Sequence, residues 1–337
     1  MLFLLATFLI IAAVFIQIHY MHKFARSVDL NNRNLHAIDD KEYFSFAVFA
    51  DNKNAYDKLR HLAGAVNSED DNLFSIFVGD MVQNGELRKY MLIVDHLKEF
   101  TKPLLTAVGN HEIYNHMDAD ADFHIGRLSY QRVFGDRYYS FARGESYFII
   151  LDDADCYSID DRQFEWLRRR LEESLKHKYR FVFMHVPLFD PGTGNNYGAG
   201  RSLKNLTSVR KINALFDEYE VTMLFVGHLH GFYRGTWGKT PYIITGGAGA
   251  MLHGDDPKHY FYHYIKVTAA PTGVIYDIKK YAEKGFSPVQ RVKHLIIDAF
   301  GYTYYFFVYE YRHIAIIAAL LYVLAFIMTR LSKRKPS

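Results

Sequence analysis

The sequence has one cysteine, Cys156, among its 337 residues, so it contains neither an internal disulfide nor a cysteine-held zinc site. It also lacks an excess of charge of one sign: 40 basic side chains are matched by 37 acidic ones, which argues against nucleic acid as a main partner. Between residues 40 and 285 there is no proline-rich linker, low-complexity segment or internal repeat. These absences favour one globular domain, and a hydrophobic content of 50% is enough to form its core.

Charged side chains are also missing near both ends of the chain. Residues 1–21 contain no Asp, Glu, Lys or Arg, and we expect residues 1–22 to form an uncleaved transmembrane anchor, with a secretion signal as the alternative. The apolar segment 313–330 predicts a second transmembrane helix, and a buried C-terminal helix is its alternative. Residues 286–312 would be a juxtamembrane connector, and residues 331–337 a basic tail.

The basic residues around these segments predict the orientation. The tail is basic and would stay in the cytoplasm by the positive-inside tendency, whereas Lys23 and Arg26 favour the opposite orientation. Since long domains cross the membrane largely regardless of charge, we give the tail more weight. The expectation is a bacterial inner-membrane protein whose central domain lies outside the cytoplasm.

Short apolar runs alternate with longer amphipathic ones in the central part of the chain. "FSFAVFA", "NAYDKLRHLAGAV", "LFSIFVG" and "ELRKYMLIVDHLKEF" predict strands separated by helices. The last runs, "PYIITGG", "YFYHYIKV" and "GVIYDIKKY", are typical of strands with no helix between them. We therefore predict an α/β domain over residues 40–285, with two packed sheets and helices outside.

Side chains that bind metals follow several of the predicted strands. In chain order they are Asp51, Asp80, Asn110, His111, His185, His228 and His230. Strand ends at one edge of an α/β layer converge on a crevice, so we expect these residues to meet although they are far apart in sequence. Mixed Asp, Asn and His donors suit divalent Mn, Fe or Zn. A glycine precedes Asp80, Asn110 and His228, and we expect each glycine to allow a sharp turn and a close approach.

The motifs "GDMVQNG", "GNHE", "MHVP" and "GHLH" occur in this order, and with them the central domain resembles the calcineurin-like metallophosphoesterases, nearest the purple-acid-phosphatase-like branch. The resemblance implies a two-sheet αββα sandwich with two divalent ions that hydrolyse a phosphomonoester or phosphodiester by hydroxide attack. It also implies the ligand set: Asp80 bridges the ions, Asn110, His185 and His228 bind one, and Asp51 and His230 bind the other.

The same resemblance gives His111 a catalytic role. His111 would not be a ligand but would face the phosphoryl group and assist the leaving oxygen. Glu112 either orients His111 or has a surface role. For "LDDAD", which ends a predicted strand at Asp152 to Asp155, we expect a turn and helix-capping role.

Lys53 departs from the family pattern. Most members have "DxH" in the first motif, but a protonated lysine has no lone pair for a metal, and the tyrosine of the purple acid phosphatase branch is replaced by Gln83. Three interpretations stay open: Lys53 points away; its ammonium holds the substrate phosphate while water, Asn52 or Gln83 completes the coordination; or the site binds one metal or none. In the last case the protein is a membrane-anchored binding or regulatory relative without catalysis.

Two further expectations concern the substrate. Arg201 lies in the loop that follows His185 and is a second candidate for substrate binding, beside Lys53. Two membrane anchors would keep the site close to lipid head groups, so we expect a phosphoester substrate that is membrane-associated or lipid-linked.

Overall fold

The computed structural model of the protein describes residues 29–114, 124–193, 201–282 and 311–332, together with positions 5, 7, 8, 11 and 12. The chain divides into two compact units: one is Val28–Lys284, and the other comprises Met1–Ser27 and Gly285–Ser337. The predicted anchor 1–22 apart from those five positions, nearly all of the connector 286–312 and most of the basic tail lie outside the described residues.

The first sheet is mixed. Its strands are β1 (Phe44–Phe49), β2 (Asn72–Val78), β3 (Leu104–Ala107), β10 (Tyr262–Ala270) and β11 (Gly273–Ala282), in the order β11-β10-β1-β2-β3. β1, β2 and β3 are parallel, while β10 is antiparallel to both β1 and β11. The helix-separated strands are therefore the parallel ones, and the last two strands form an antiparallel pair, as their runs predict.

The second sheet is also mixed. It consists of β4 (Tyr139–Arg143), β5 (Ser146–Ile150), β6 (Tyr179–Phe183), β7 (Met223–Val226), β8 (Phe232–Trp237) and β9 (Thr240–Thr245), in the order β4-β5-β6-β7-β9-β8. β5, β6, β7 and β9 are parallel, and β4 and β8 are antiparallel edge strands. The parallel centre of this sheet directs its carboxyl ends to one edge.

Helices connect the strands. In the unit Val28–Lys284 they are α1 (Leu30–Ala37), α2 (Tyr56–Asn67), α3 (Leu87–Leu97), α4 (Asn110–Ile113), α5 (His124–Phe134), α6 (Asp161–Ser174) and α7 (Leu206–Glu218), with a 3-10 turn at Pro191–Thr193. The Asp160 carboxylate caps α6 by accepting from the Gln163 N–H at 2.7 Å. The expected capping role of Asp152 to Asp155 is therefore wrong.

The core lies between the two sheets. Phe46 of β1 meets Phe148 and Phe181 of the second sheet edge-on, with ring centroids 5.3 and 5.2 Å apart. The alternate residue Ile149 faces the other way and belongs to a second buried cluster with Leu167 of α6. This alternation gives the predicted layering of two sheets with helices outside.

α1 covers the free edge of β3. The Asn31 Oδ1 accepts the Thr106 N–H at 2.9 Å, its Nδ2 donates to the Thr106 carbonyl at 3.2 Å, and Asn34 donates to the Leu104 carbonyl at 2.6 Å. Two asparagine side chains thus take the place of a neighbouring strand.

The second unit contains α8 (Tyr311–Ser332), which coincides with the predicted C-terminal apolar helix. Within the described residues, none of the helices combines the length and the apolar character that crossing a membrane requires. The structure therefore does not support the flanking transmembrane helices that the sequence predicts.

Candidate metal centre

The candidate ligands lie just beyond the carboxyl ends of parallel strands from both sheets. Asp51 follows β1, Asp80 follows β2 and Asn110 follows β3; His185 follows β6, and His228 and His230 follow β7. The structure thus brings together the residues that the motifs predict, because the carboxyl edges of the two sheets meet.

The backbone turns sharply at three of these positions. Asp51, Asp80 and His228 have φ angles of 66°, 57° and 68°, a left-handed conformation that costs a non-glycine residue about 1–2 kcal/mol. Gly109 lies so close to Asp80 and Glu112 that a Cβ there would stand 2.8 Å from a Glu112 oxygen and would also overlap Asp80. The glycine before Asn110 therefore permits the expected close approach.

Asp80, His185 and His228 form a first donor group, in which one ligand atom from each lies within 4.8 Å of the others. The His185 Nδ1 is bound to the Val78 carbonyl at 2.8 Å, so the Nε2 points to the centre, 3.3 Å from Asp80 Oδ1. The Asn110 Oδ1 joins the group, 3.2 Å from His185 Nε2 and 2.9 Å from His228 Nδ1. Four side chains therefore converge here.

Asp51, Asp80 and His230 form a second donor group, in which one ligand atom from each again lies within 4.8 Å of the others, so Asp80 belongs to both groups. The His230 Nδ1 lies 2.6 Å from the Met251 carbonyl and the Nε2 lies 3.5 Å from Asp51 Oδ1. Asp51 Oδ1 and His230 Nε2 are buried and have no hydrogen-bond partner in the described part of the chain. Buried polar atoms without partners are costly, so this donor set fits divalent cations.

The pKa values of the two carboxylates in the centre, Asp51 and Asp80, are shifted in opposite directions. Burial raises the pKa of Asp51 to about 7, and the neighbouring Asp80 adds to the increase. Burial also raises the pKa of Asp80, but the positive charges of His185 and Lys53 outweigh it and hold this pKa well below its usual range. Two carboxylates side by side thus need positive charge around them.

The pKa values of the three imidazoles are also shifted in different directions. Burial lowers the pKa of His228 to about 3 and that of His230 to about 2, so both rings are neutral at pH 7 and keep a lone pair for a metal. Burial lowers the pKa of His185 as well, but the Asp80 carboxylate outweighs it and raises this pKa to about 10. The His185 proton thus supplies positive charge that a bound cation displaces.

Glu112 is fully buried and fixes the loop that carries Asp80. Its carboxylate accepts backbone N–H groups of Asp80 at 2.6 Å, Met81 at 2.7 Å, Val82 at 3.1 Å and Gly109 at 2.8 Å. Both roles expected for it, orienting His111 or lying at the surface, are therefore wrong. Its carboxylate positions Asp80, the residue that the two donor groups share.

Asp153 is a positioning residue that the motif comparison missed. It is buried, and it accepts the His185 and Val186 N–H groups at 2.8 Å each. The signal was present in the sequence, because Asp153 follows β5, the parallel neighbour of β6, and so belongs to the same edge of the sheet.

Lys53 reaches into the centre. Its ammonium lies 3.2 Å from Asp80 Oδ2, and its side chain is 17% exposed. The interpretation in which Lys53 points away is therefore wrong. Of the two side chains considered as replacement ligands, Gln83 is exposed, and the Asn52 Nδ2 donates to the Ala55 and Ala248 carbonyls at 3.1 and 2.8 Å.

His111 lies at the rim of the centre. The Nδ1 is 2.7 Å from the Gln83 carbonyl, so the ring carries a proton there, and the Nε2 is 4.0 Å from Asp80 Oδ2. The His111 N–H donates to Asp80 Oδ1 at 3.0 Å. This position is consistent with a residue that faces the substrate and does not bind metal.

His253 is a neighbour of the centre that sequence reasoning missed. Its ring stacks on His230 with centroids 3.9 Å apart, and its Nδ1 accepts the His230 N–H at 3.1 Å. Arg201 is exposed, and its N–H donates to Asp190 at 2.8 Å. His253 follows β9, a parallel strand of the second sheet, but it lies eight residues beyond the end of that strand and outside the motifs that carry the resemblance.

The sequence of the central domain is similar to those of known proteins. The sequence model of the calcineurin-like phosphoesterase family matches residues 44–232, more than half of the chain. Human serine/threonine-protein phosphatase CPPED1 is 25% identical over 235 residues, which cover 63% of this chain and 70% of the human protein. Fe(3+)-Zn(2+) purple acid phosphatase 12 of Arabidopsis thaliana is 26% identical over 149 residues, 40% of this chain and 29% of that protein.

Solved structures share the fold. The purple acid phosphatase PPD1 of yellow lupin superposes with a TM-score of 0.58 at 16% identity, over 74% of this chain and 53% of the lupin chain. A structure described as "GAP50 the anchor in the inner membrane complex of Plasmodium" gives a TM-score of 0.52 at 13% identity, over 76% of this chain and 94% of that chain. The chain therefore belongs to the calcineurin-like phosphoesterase family, is a hydrolase of phosphoesters, and carries the donor set of a binuclear metal centre.

Proposed function

We propose that this protein hydrolyses a phosphomonoester or phosphodiester at a centre of two divalent ions. The observation that carries the proposal is the pair of donor groups that share Asp80. Asp80 would bridge the ions, with Asn110, His185 and His228 on one and Asp51 and His230 on the other. When bound, such ions supply an activated water and stabilise the charge of the phosphoryl oxygens.

The chain's own contribution to the reaction is to move a proton at His111. Because the Gln83 carbonyl accepts from Nδ1, a second proton on the ring resides on Nε2, the atom that faces the centre. Burial lowers the pKa of His111, which makes its imidazolium a stronger acid. In this proposal that proton is delivered to the leaving oxygen, a step typically worth about 10²–10⁴ in rate.

The proposal is tested by metal content per chain together with turnover of an aryl phosphate and its bis-aryl diester. We expect two ions per chain in the purified protein, hydrolysis of at least one ester, and a kcat about a hundredfold or more lower in His111→Asn with the metal content unchanged. His61→Gln is the matched control, since His61 is exposed on α2 and makes no contact with the centre. Absence of bound metal and of turnover with Mn, Fe and Zn contradicts the proposal.

A second candidate is a binding or regulatory relative without catalysis. The specific observation in its favour is the Lys53 ammonium beside Asp80, where it supplies positive charge that a cation would otherwise supply. Under this candidate, Asp51→Asn changes neither metal content nor turnover. Under the hydrolase proposal, the same substitution lowers both.

Membrane anchoring is proposed from the sequence alone, on the uncharged segments 1–21 and 313–329, with the domain outside the cytoplasm of a bacterial cell. The full chain is then expected to stay in the membrane fraction after carbonate extraction, with its domain open to protease added outside; release by carbonate contradicts anchoring. A lipid-linked substrate follows only if anchoring holds. Equal activity on soluble and vesicle-embedded phosphoesters, measured with the full chain, contradicts a lipid-linked substrate.

A further inference from the structure

The two donor groups are unequal. Among the residues that the structure describes, the first contains four side-chain donors, Asp80, Asn110, His185 and His228, whereas the second has three acidic and histidine donors, Asp51, Asp80 and His230. The two positions at which the resemblance implies a further ligand are occupied here by Lys53 and by Gln83, whose side chain is exposed. The second group therefore has an open face.

Lys53 is held at this face by its backbone. Its φ angle is 48°, its N–H donates to the Asp80 carbonyl at 3.0 Å, and its ammonium lies 3.2 Å from Asp80 Oδ2. An Asp80 oxygen that ligates a cation is no longer available to an ammonium. With a cation bound to Asp80, the Lys53 ammonium would still lie beside the centre, and its N–H donors could bind a different anion.

His253 adds a second donor. Since its Nδ1 accepts the His230 N–H, the proton of the neutral ring is on Nε2, which makes no hydrogen bond in the described part of the chain. The His253 N–H also donates to the His230 carbonyl at 3.2 Å, so two hydrogen bonds and the ring stack hold it against the ligand.

We propose that Lys53 and His253 form a phosphate subsite on the open face of the second donor group, and that this subsite favours phosphomonoesters over phosphodiesters. The inference rests on the proposed function. A monoester phosphate presents three non-bridging oxygens and about two negative charges near neutral pH, so it gains more from added N–H donors and cations than a diester does.

The test compares full-length variants loaded with the same divalent metal. Lys53→Met removes the ammonium and keeps the length of the side chain; His253→Asn keeps an acceptor for the His230 N–H and removes the Nε2 donor; Lys53→Arg keeps the charge. Lys102→Met is the matched control, because Lys102 is exposed and precedes β3, at the opposite edge of the sheet from the centre. The readouts are the dissociation constant for inorganic phosphate, the metal content, and kcat/KM for an aryl phosphate and its bis-aryl diester.

We expect Lys53→Met to weaken phosphate binding about tenfold, as loss of one charge-assisted hydrogen bond does, and to lower the monoester-to-diester ratio of kcat/KM by a similar factor. His253→Asn should act in the same direction by about threefold to tenfold, and Lys53→Arg should stay closer to wild type. The metal content of all variants, and every readout of Lys102→Met, should match wild type.

Three results overturn the subsite. The first is unchanged phosphate affinity in both Lys53→Met and His253→Asn, and the second is an equal loss of monoester and diester turnover. The third is a gain of bound metal in Lys53→Met, which makes Lys53 a competitor of the ion and not a ligand of phosphate. Each of these leaves the proposed function intact if the wild type binds metal and turns over; a wild type without metal or turnover overturns both.

Discussion

Glu112 and Asp153 show how single carboxylates prepare the metal centre without touching a substrate. Glu112 accepts four backbone N–H groups around Asp80, and Asp153 accepts two at His185. A carboxylate accepts at both oxygens, and no other side chain of similar size does so. The ligand positions therefore depend on residues that bind only the backbone.

Glu112→Gln tests this role. An amide NH₂ in place of either oxygen leaves two N–H groups without an acceptor, so we expect the free energy of unfolding to fall by about 2–4 kcal/mol and the metal affinity to fall with it. Urea denaturation and metal titration measure both effects. Glu145→Gln is the control at an exposed glutamate; a Glu112→Gln protein as stable as this control refutes the role.

The pH dependence of turnover tests the proton at His111. Burial lowers its pKa below the usual 6.5, and the proposed step needs the protonated ring. The wild-type kcat should therefore fall as pH rises through this pKa, and His111→Asn should lose that decline along with most of the rate. A decline of the same shape in the variant assigns the proton to another group.

α1 stabilises the first sheet by completing the edge of β3. Asn31→Ala removes the acceptor of the buried Thr106 N–H and the donor to its carbonyl. We expect a loss of about 2–3 kcal/mol in the free energy of unfolding, measured by urea denaturation. Asn32→Ala is the matched control on the exposed side of the same helix. Equal stability of the two variants contradicts the edge role of Asn31.

Lys266 of β10 ties this strand to the turn before β2, where its ammonium lies 2.7 Å from Glu69 and 2.6 Å from Asp71. Burial raises the pKa of Glu69 and Asp71, but hydrogen bonds from Lys266 outweigh it, so both pKa values are lowered. Carboxylates with a lowered folded-state pKa stabilise above their unfolded values, near 4.5 and 3.8, and this contribution disappears as pH falls below them.

Lys266→Met should therefore lower the free energy of unfolding by about 1 kcal/mol or less at pH 7, because these ion pairs are partly exposed. Once both carboxylates are protonated, the substitution should have no effect through these ion pairs. Urea denaturation of wild type and variant between pH 7 and acid measures the difference. A cost that stays constant with pH assigns the effect to packing of the lysine stem.

Motifs at strand ends predicted more of this molecule than local patterns did. Asp51, Asp80 and His185 were predicted because each follows directly after an apolar run typical of a buried strand, a pattern that is visible in the sequence. α1 was missed because "LNNRNLHA" has little apolar periodicity and is stabilised by asparagine contacts to β3 that lie 70 or more positions away. Glu112 and His253 act through tertiary contacts, which no spacing in the sequence records.

The metal centre joins the two sheets, since Asp51, Asp80 and Asn110 come from the first sheet and His185, His228 and His230 from the second. Because the ligands come together only in the folded state, metal binding should stabilise that state. At a free metal concentration of a hundred times the dissociation constant, the gain in the free energy of unfolding is about 2.7 kcal/mol.

Chelation should therefore lower the unfolding temperature, and restored metal should raise it again. Asp80→Asn, which removes the negative charge and one of the two oxygens of the residue that both groups share, should respond much less to either treatment. Chelation that leaves the wild-type unfolding temperature unchanged contradicts a centre that links the sheets.

The number of ions per chain in wild type, Asp51→Asn and Asp80→Asn tests the central claim most directly. Asp51 belongs to one donor group and Asp80 to both. We expect two ions in the folded wild type, one in Asp51→Asn, and none tightly held in Asp80→Asn, with circular dichroism confirming that each variant is folded. A wild type without metal, or a loss from Asp80→Asn no larger than the loss from Asp51→Asn, contradicts a centre built around a shared carboxylate.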